Sequence, residues 1–190
     1  KTLNPDVVTM DVNMPEMNGI EATRRIMRDS PRPVVMLSAY TKEGARQTID
    51  ALAAGAVDFV SKPNQERALD MATVSRELID KIHAAAEIGV RRLPDAPVNG
   101  AEEARLDRRV ADARATEPRL IVIGSSTGGP MTLNRLFRRL PKNLPAGLLI
   151  AQHMPPRYTA GLADQLNELG TIGVKEAARG DLAEPGRDVA

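Results

Sequence analysis

What most constrains the fold of this chain is a repeated alternation of short apolar runs with longer segments whose apolar residues recur at helical spacing. That pattern belongs to parallel α/β sheets, where each buried strand is a brief β-rich run and each crossover is a helix. Residues 7–10 are expected as a strand ending at Asp11, 20–28 as a helix, and 34–37 as a strand ending at Ser38. A helix over 41–54 follows, with Ala45, Ile49 and Leu52 inward and Gly55 closing it. Residues 57–60 then read as a strand ending near Lys62-Pro63, and 65–88 as a helix with Met71, Val74, Leu78 and Ile82 on one face. The polar stretch 90–118, which carries Pro94, Pro97, Asn99 and Gly100, reads as a linker, partly helical over 101–115. The alternation resumes with a strand over 120–123, a helix over 131–140 burying Leu133, Leu136, Phe137 and Leu140, and a strand over 146–151. A helix over 159–169 follows, with Leu162, Leu166 and Leu169 inward.

In such sheets ligands gather at the carboxyl ends of the strands, and Asp11, Ser38 and Lys62 end three successive ones. A carboxylate, a hydroxyl and an ammonium together can accept, hydrogen-bond and neutralise a phosphoryl group, with the carboxylate as nucleophile. Taken singly, each has a structural reading, the aspartate as a cap above all.

A second constellation begins at Gly124-Ser125-Ser126-Thr127-Gly128-Gly129-Pro130. Glycines allow a sharp turn, and proline suits a first helical turn because its missing N–H would be unpaired there anyway. Ser126 therefore stands on a strand-to-helix elbow, near helix-start N–H groups that can stabilise an oxyanion. The next strand runs into Gln152-His153-Met154-Pro155-Pro156, so His153 shares the rim with Ser126 if the strands are parallel. A serine and an imidazole so placed make a nucleophile and a base. A glycine turn before a helix also binds phosphates, but this run lacks both the Gly-x-Gly-x-x-Gly order and the lysine of a P-loop. The other histidine, His83, falls within a helix pattern and reads as a solvated or flanking residue.

Composition narrows the classes. Lys and Arg total 26 against 25 Asp and Glu, and aromatic residues are 2%, so no electrostatic footprint for nucleic acid exists. The chain has 0 cysteines, which excludes a disulfide framework and cysteine-bound zinc and fits a reducing compartment. Without a signal-peptide pattern or an apolar run of spanning length, a cytoplasmic protein with no direct membrane insertion is expected.

The phrase Val7-Val8-Thr9-Met10-Asp11-Val12-Asn13-Met14-Pro15-Glu16-Met17-Asn18-Gly19 resembles the phosphorylation site of response-regulator receiver domains, Asp-x-x-Met-Pro-x-x-Asn/Asp-Gly. The resemblance implies that Asp11 accepts a phosphoryl group from a chemotaxis histidine kinase. It further implies Mg2+ held by Asp11 and the backbone carbonyl of Asn13, Ser38 engaging the phosphoryl group, and Phe59 as the aromatic switch. Lys62 would neutralise charge and precede a cis bond to Pro63. Receivers carry an earlier strand, helix and strand, with an acidic pair that completes the Mg2+ site, and the chain as given is expected to lack them.

The run Ile121-Val122-Ile123-Gly124-Ser125-Ser126-Thr127-Gly128-Gly129-Pro130, with Gln152-His153-Met154-Pro155-Pro156 and Thr159, resembles the catalytic domain of the chemotaxis protein-glutamate methylesterases, the CheB family. There the domain follows a receiver and a linker, the order found here. The resemblance implies Ser126 as nucleophile, His153 as general base and Thr127 as support for the nucleophile or oxyanion. The substrates it implies are glutamate methyl esters, and certain glutamines, of methyl-accepting chemoreceptors, with no metal at the ester site. It also implies a receiver that restricts the esterase until phosphorylated. The family's orienting aspartate comes from a strand well beyond His153, a place that Asp164, Asp181 and Asp188 do not match. Loss of such a group costs about 10⁴ in rate, so the chain as given is expected to be nearly inactive alone.

The fold expected is α/β: a partial receiver with a flavodoxin-like parallel sheet over 1–89, a linker over 90–118, and the N-terminal part of a Rossmann-like methylesterase domain over 119–190. The alternative is a response regulator with a non-enzymatic output, such as a DNA-binding module. That would place a helix-turn-helix and a basic surface where this chain has strand, elbow and strand.

Overall fold

The alternation of runs becomes two parallel sheets. The structure, a computed structural model, describes residues 3–39, 41–63, 71–90, 119–142, 144–183 and 187–189, the last three by backbone alone. It divides into two units, residues 1–93 with 127–131, and residues 94–126 with 132–190. Residues 91–118, nearly all of the expected linker, lie outside the described residues.

In the first unit β1 (Val8–Asp11), α1 (Gly19–Asp29), β2 (Val34–Ala39), α2 (Lys42–Ala53), β3 (Asp58–Lys62) and α3 (Met71–Ala86) follow in order. The sheet order is β1-β2-β3, all parallel, with Asp11 opposite Leu37 and Ser38 opposite Ser61. The central strand is the most apolar because both its faces are covered: Val34, Val35 and Met36 are fully buried. Asn18 caps α1 by accepting from the Glu21 N–H (2.8 Å), and Thr41 caps α2 by accepting from Gly44 N–H (2.9 Å). Gly19 is glycine for want of room, since a Cβ there would lie 2.0 Å from the Asp11 carbonyl oxygen.

Val35, Val57, Val60, Ala85 and Met131 form the core of this unit, against which Val74, Leu78 and Ile88 pack. The expected apolar face of α3 is thus real from Val74 onward, but Met71, expected inward, is 64% exposed. It stands a full turn before the first residue to reach the core. Residues 64–70, the expected start of this helix, lie outside the described residues. No described peptide bond is cis, so Lys62-Pro63 is trans, contrary to the expectation from resemblance.

In the second unit β4 (Arg119–Ser125), α4 (Gly129–Phe137), β5 (Ala146–Gln152), a 3₁₀ turn (Pro156–Tyr158), α5 (Thr159–Leu169), β6 (Gly173–Lys175) and β7 (Arg187–Val189) follow, the first residues of α4 grouping with the first unit. The order is β4-β5-β7-β6, again parallel throughout. Leu133, Phe137, Leu148, Tyr158, Leu162 and Leu166 are buried here. Leu136, Leu140 and Leu169, also expected inward, are only half-buried. Leu140 falls past the end of α4, where Arg139 N–H bonds back to Leu136 O (2.9 Å) and tightens the last turn. No described helix is long and apolar enough to cross a membrane.

Candidate active site and phosphoacceptor site

Asp11 and Lys62 end the two strands that flank β2, and the fold joins them: Lys62 Nζ donates to Asp11 Oδ2 at 2.6 Å. Burial pushes the Asp11 carboxyl up, but the hydrogen bond and charge of Lys62, with the backbone N–H groups of Asn13 and Val12, hold it below the ordinary carboxylate range. The group is therefore anionic at neutral pH and rests beside its counter-charge.

Ser38, expected to face the same site, is completely buried. Its hydroxyl donates to Gly44 O (3.0 Å) in the first turn of α2, and Thr48 Oγ1 donates to it at 2.7 Å. In this state Ser38 is bound to the helix rather than to the strand-end carboxylate. Phe59 is 2% exposed, with Lys81 Nζ lying 5.1 Å from its ring centroid and donating to its carbonyl (2.6 Å). Lys81 also pairs with Asp58 (3.1 Å) and Glu77 (3.0 Å). None of Thr48, Asp58, Glu77 and Lys81 carries a motif signal; their pairing arises from packing α2 and α3 on the sheet.

Among the described residues no group of three His, Cys, Asp or Glu side chains could hold a metal. Mg2+ demands near-octahedral oxygen coordination. Asp11, with one oxygen on Lys62, and the Asn13 carbonyl do not make that set, so the described residues do not fit the ion by themselves.

The second site forms where β4 and β5 end together. Ser125 lies opposite Gln152, and the ladder runs one step further, His153 N–H donating to Ser125 O at 2.8 Å. Ser126 and His153 therefore leave the sheet side by side, and Ser126 Oγ lies 3.2 Å from His153 Nδ1, in contact with solvent. To take the serine proton at Nδ1 the imidazole must carry its own proton on Nε2. Among the described residues no carboxylate touches the ring: Asp181 pairs with Lys175, and Asp164 is exposed on α5.

Thr127 departs from its expected role. Its hydroxyl donates to Asp58 Oδ2 at 2.6 Å within the first unit and so is not turned to Ser126. The Gly128 N–H is likewise committed, to Val57 O at 3.1 Å, which removes one of the helix-start donors expected for an oxyanion. Gly128 itself has φ +77°, a conformation that the elbow requires and a side chain would strain. His83 is exposed on α3, as its helical context implied.

Gln152, quoted in the motif but given no role by the sequence, proves central to this site. Its Oε1 accepts from Ser125 Oγ (2.7 Å), while Nε2 donates to Ser126 O (2.9 Å) and to His153 O (3.2 Å).

Comparison with known proteins finds a family match for each half of the chain. The response regulator receiver domain pattern matches residues 1–73 and the CheB methylesterase pattern residues 121–189. A protein-glutamate methylesterase/protein-glutamine glutaminase of Symbiobacterium thermophilum is 45% identical over 97% of this chain and 53% of its own length. One of Thermotoga maritima is 43% identical over 97% of this chain and 52% of its own length. The chain spans about half the length of the curated relatives it matches. Two crystal structures from Thermotoga maritima are also similar. The response regulator domain of CheB has 48% identity, covers 46% of this chain and 66% of that one, and gives a TM-score of 0.41. The CheB methylesterase catalytic domain has 43% identity, covers 39% of each chain, and gives 0.38.

Proposed function

We propose, on the premise that this chain belongs to the CheB family of protein-glutamate methylesterases, that it hydrolyses glutamate methyl esters on methyl-accepting chemoreceptors with Ser126 as nucleophile. The observation that carries this reading is the 3.2 Å approach of Ser126 Oγ to His153 Nδ1. Ser126 Oγ attacks the γ-carbonyl carbon while its proton passes to His153. The tetrahedral adduct then expels methoxide, which takes that proton and leaves as methanol. Water attacks the acyl-enzyme, yielding a proton to His153, and the serine recovers it as the free glutamate departs. With a glutamine substrate, ammonia is the leaving group.

Asp11 is the site of regulation in this reading. A carboxylate oxygen attacks the phosphorus of a phosphohistidine on a cytoplasmic chemotaxis kinase, the P–N bond breaks, and an acyl phosphate forms on Asp11. Lys62, already at 2.6 Å, neutralises the added charge. Ser38 and Phe59 would then leave the positions described above.

A fluorophosphonate probe tests the reading in the intact protein. Labelling should fall on Ser126, Ser126→Ala should abolish it together with methanol release from methylated receptor, and His153→Ala should slow both by about 10³-fold or more. Full labelling of Ser126→Ala would transfer the chemistry to another residue.

A further inference from the structure

Gln152 binds both partners of the proposed pair at once. Its carboxamide has one acceptor oxygen and two N–H donors, and all are engaged: the oxygen by Ser125 Oγ, the nitrogen by the carbonyls of Ser126 and His153. The orientation of the amide is dictated by these neighbours, since a flipped amide would set its oxygen against two carbonyl oxygens that can only accept. We infer that Gln152 is a positioning residue, a clasp that fixes the main chain of nucleophile and base relative to each other so that Ser126 Oγ stays within reach of His153 Nδ1. The inference rests on the reading of Ser126 and His153 above.

The physical need for a clasp follows from where the pair sits. Ser126 and His153 both lie beyond the last residues of β4 and β5, so the ladder holds them only through the single bond from His153 N–H to Ser125 O. Among the described residues no backbone N–H donates to the carbonyls of Ser126 and His153. The residues that follow Ser126, Thr127 and Gly128, bond to Asp58 and Val57 of the first unit and so do not tie Ser126 to His153. One side chain from the strand end supplies both missing bonds. Since a misplacement of about 1 Å can cost about 10²-fold in rate, a group that touches no reacting atom can still govern turnover.

The test compares Gln152→Met, which keeps the shape but has no donors, and Gln152→Ala with the wild type in the intact protein. The readouts are fluorophosphonate labelling rate, kcat and KM for methylated receptor, and thermal unfolding. A clasp predicts kcat and labelling rate lower by about 10- to 100-fold with KM within about twofold. Ser125→Ala removes one bond to the amide and leaves the two carbonyl bonds, so it should lower kcat far less. Folded Gln152 variants that label at the wild-type rate overturn the proposal. So does a loss of kcat matched by loss of folded protein in both variants, which would make Gln152 a general structural residue. If the wild type is not labelled at Ser126, it is the reading of the nucleophile that fails, so the two failures are distinct.

Discussion

At the scale of single residues, the balance of opposed forces on Asp11 gives a sharp expectation. Burial raises its carboxyl, and Lys62, with two backbone donors, more than offsets that. A carboxyl depressed on folding stabilises the protein above its unfolded pKa, and the contribution is lost as pH falls through the folded value. Lys62→Met removes the hydrogen bond and the charge together, so the Asp11 carboxyl should climb toward its ordinary value and the stability it lends at neutral pH should shrink. Titration of the Asp11 carboxyl carbon by NMR in both proteins checks this, and an unmoved midpoint in Lys62→Met would assign the depression to the backbone donors instead. The Asp11–Lys62 and Ser126–His153 pairs were both legible in the sequence, because each residue sits at a predicted strand end and carries a chemistry-bearing group. Gln152 was not, since a glutamine after an apolar run has no signature until the register with Ser125 is known. Nor was the direction of the Ser38 hydroxyl, which depends on how the first turn of α2 lands beside β2. The commitment of Thr127 to Asp58 was equally hidden, as it joins residues far apart in sequence.

At the scale of elements, loops that place strand-end groups are set by close approach as much as by capping. Gly19 begins α1 directly after the loop from Asp11, its N–H bonds to Val12 O at 2.9 Å, and a Cβ would stand 2.0 Å from Asp11 O. Backbone cannot yield as a flexible side chain can, so Gly19→Ala should destabilise the first unit by about 1–3 kcal/mol and displace the Asp11 loop. Gly89→Ala is the matched control: nothing lies within 4 Å of its Cβ, and the change should stay within about 0.5 kcal/mol. Denaturant unfolding with hydrogen exchange at Val8–Val12 reads both, and equal midpoints for the two variants would remove the steric argument. Helix α5 was expected over 159–169 and is Thr159–Leu169, because Leu162 and Leu166 recur at helical spacing and proline residues precede it. Strands β6 and β7 escaped notice for the opposite reason. Each is three residues long, and Gly173-Val174-Lys175 offers only Val174 to the core, too short a run for periodicity to register.

At the scale of the whole molecule, the proposed function requires that the state of Asp11 alter turnover at Ser126. Such coupling is a free-energy difference between two states, of about 1–3 kcal/mol, which corresponds to about 5- to 150-fold in activity. Under that proposal Ser38 would leave Thr48 and Gly44, and the grip of Lys81 on Phe59 would loosen, so specific bonds would hold the unmodified state. Asp11→Asn isolates this coupling. The amide keeps the shape and an acceptor for Lys62 but cannot form an acyl phosphate. The charge left on Lys62 is tolerable because its side chain is 43% exposed. Methanol release from methylated receptor, measured in the intact protein with and without a small phosphodonor, should rise 5- to 150-fold in the wild type and not at all in Asp11→Asn, while turnover without donor stays within about twofold. Stimulation of Asp11→Asn equal to that of the wild type would place the phosphoryl group on another side chain and detach the Ser38 and Phe59 contacts from regulation.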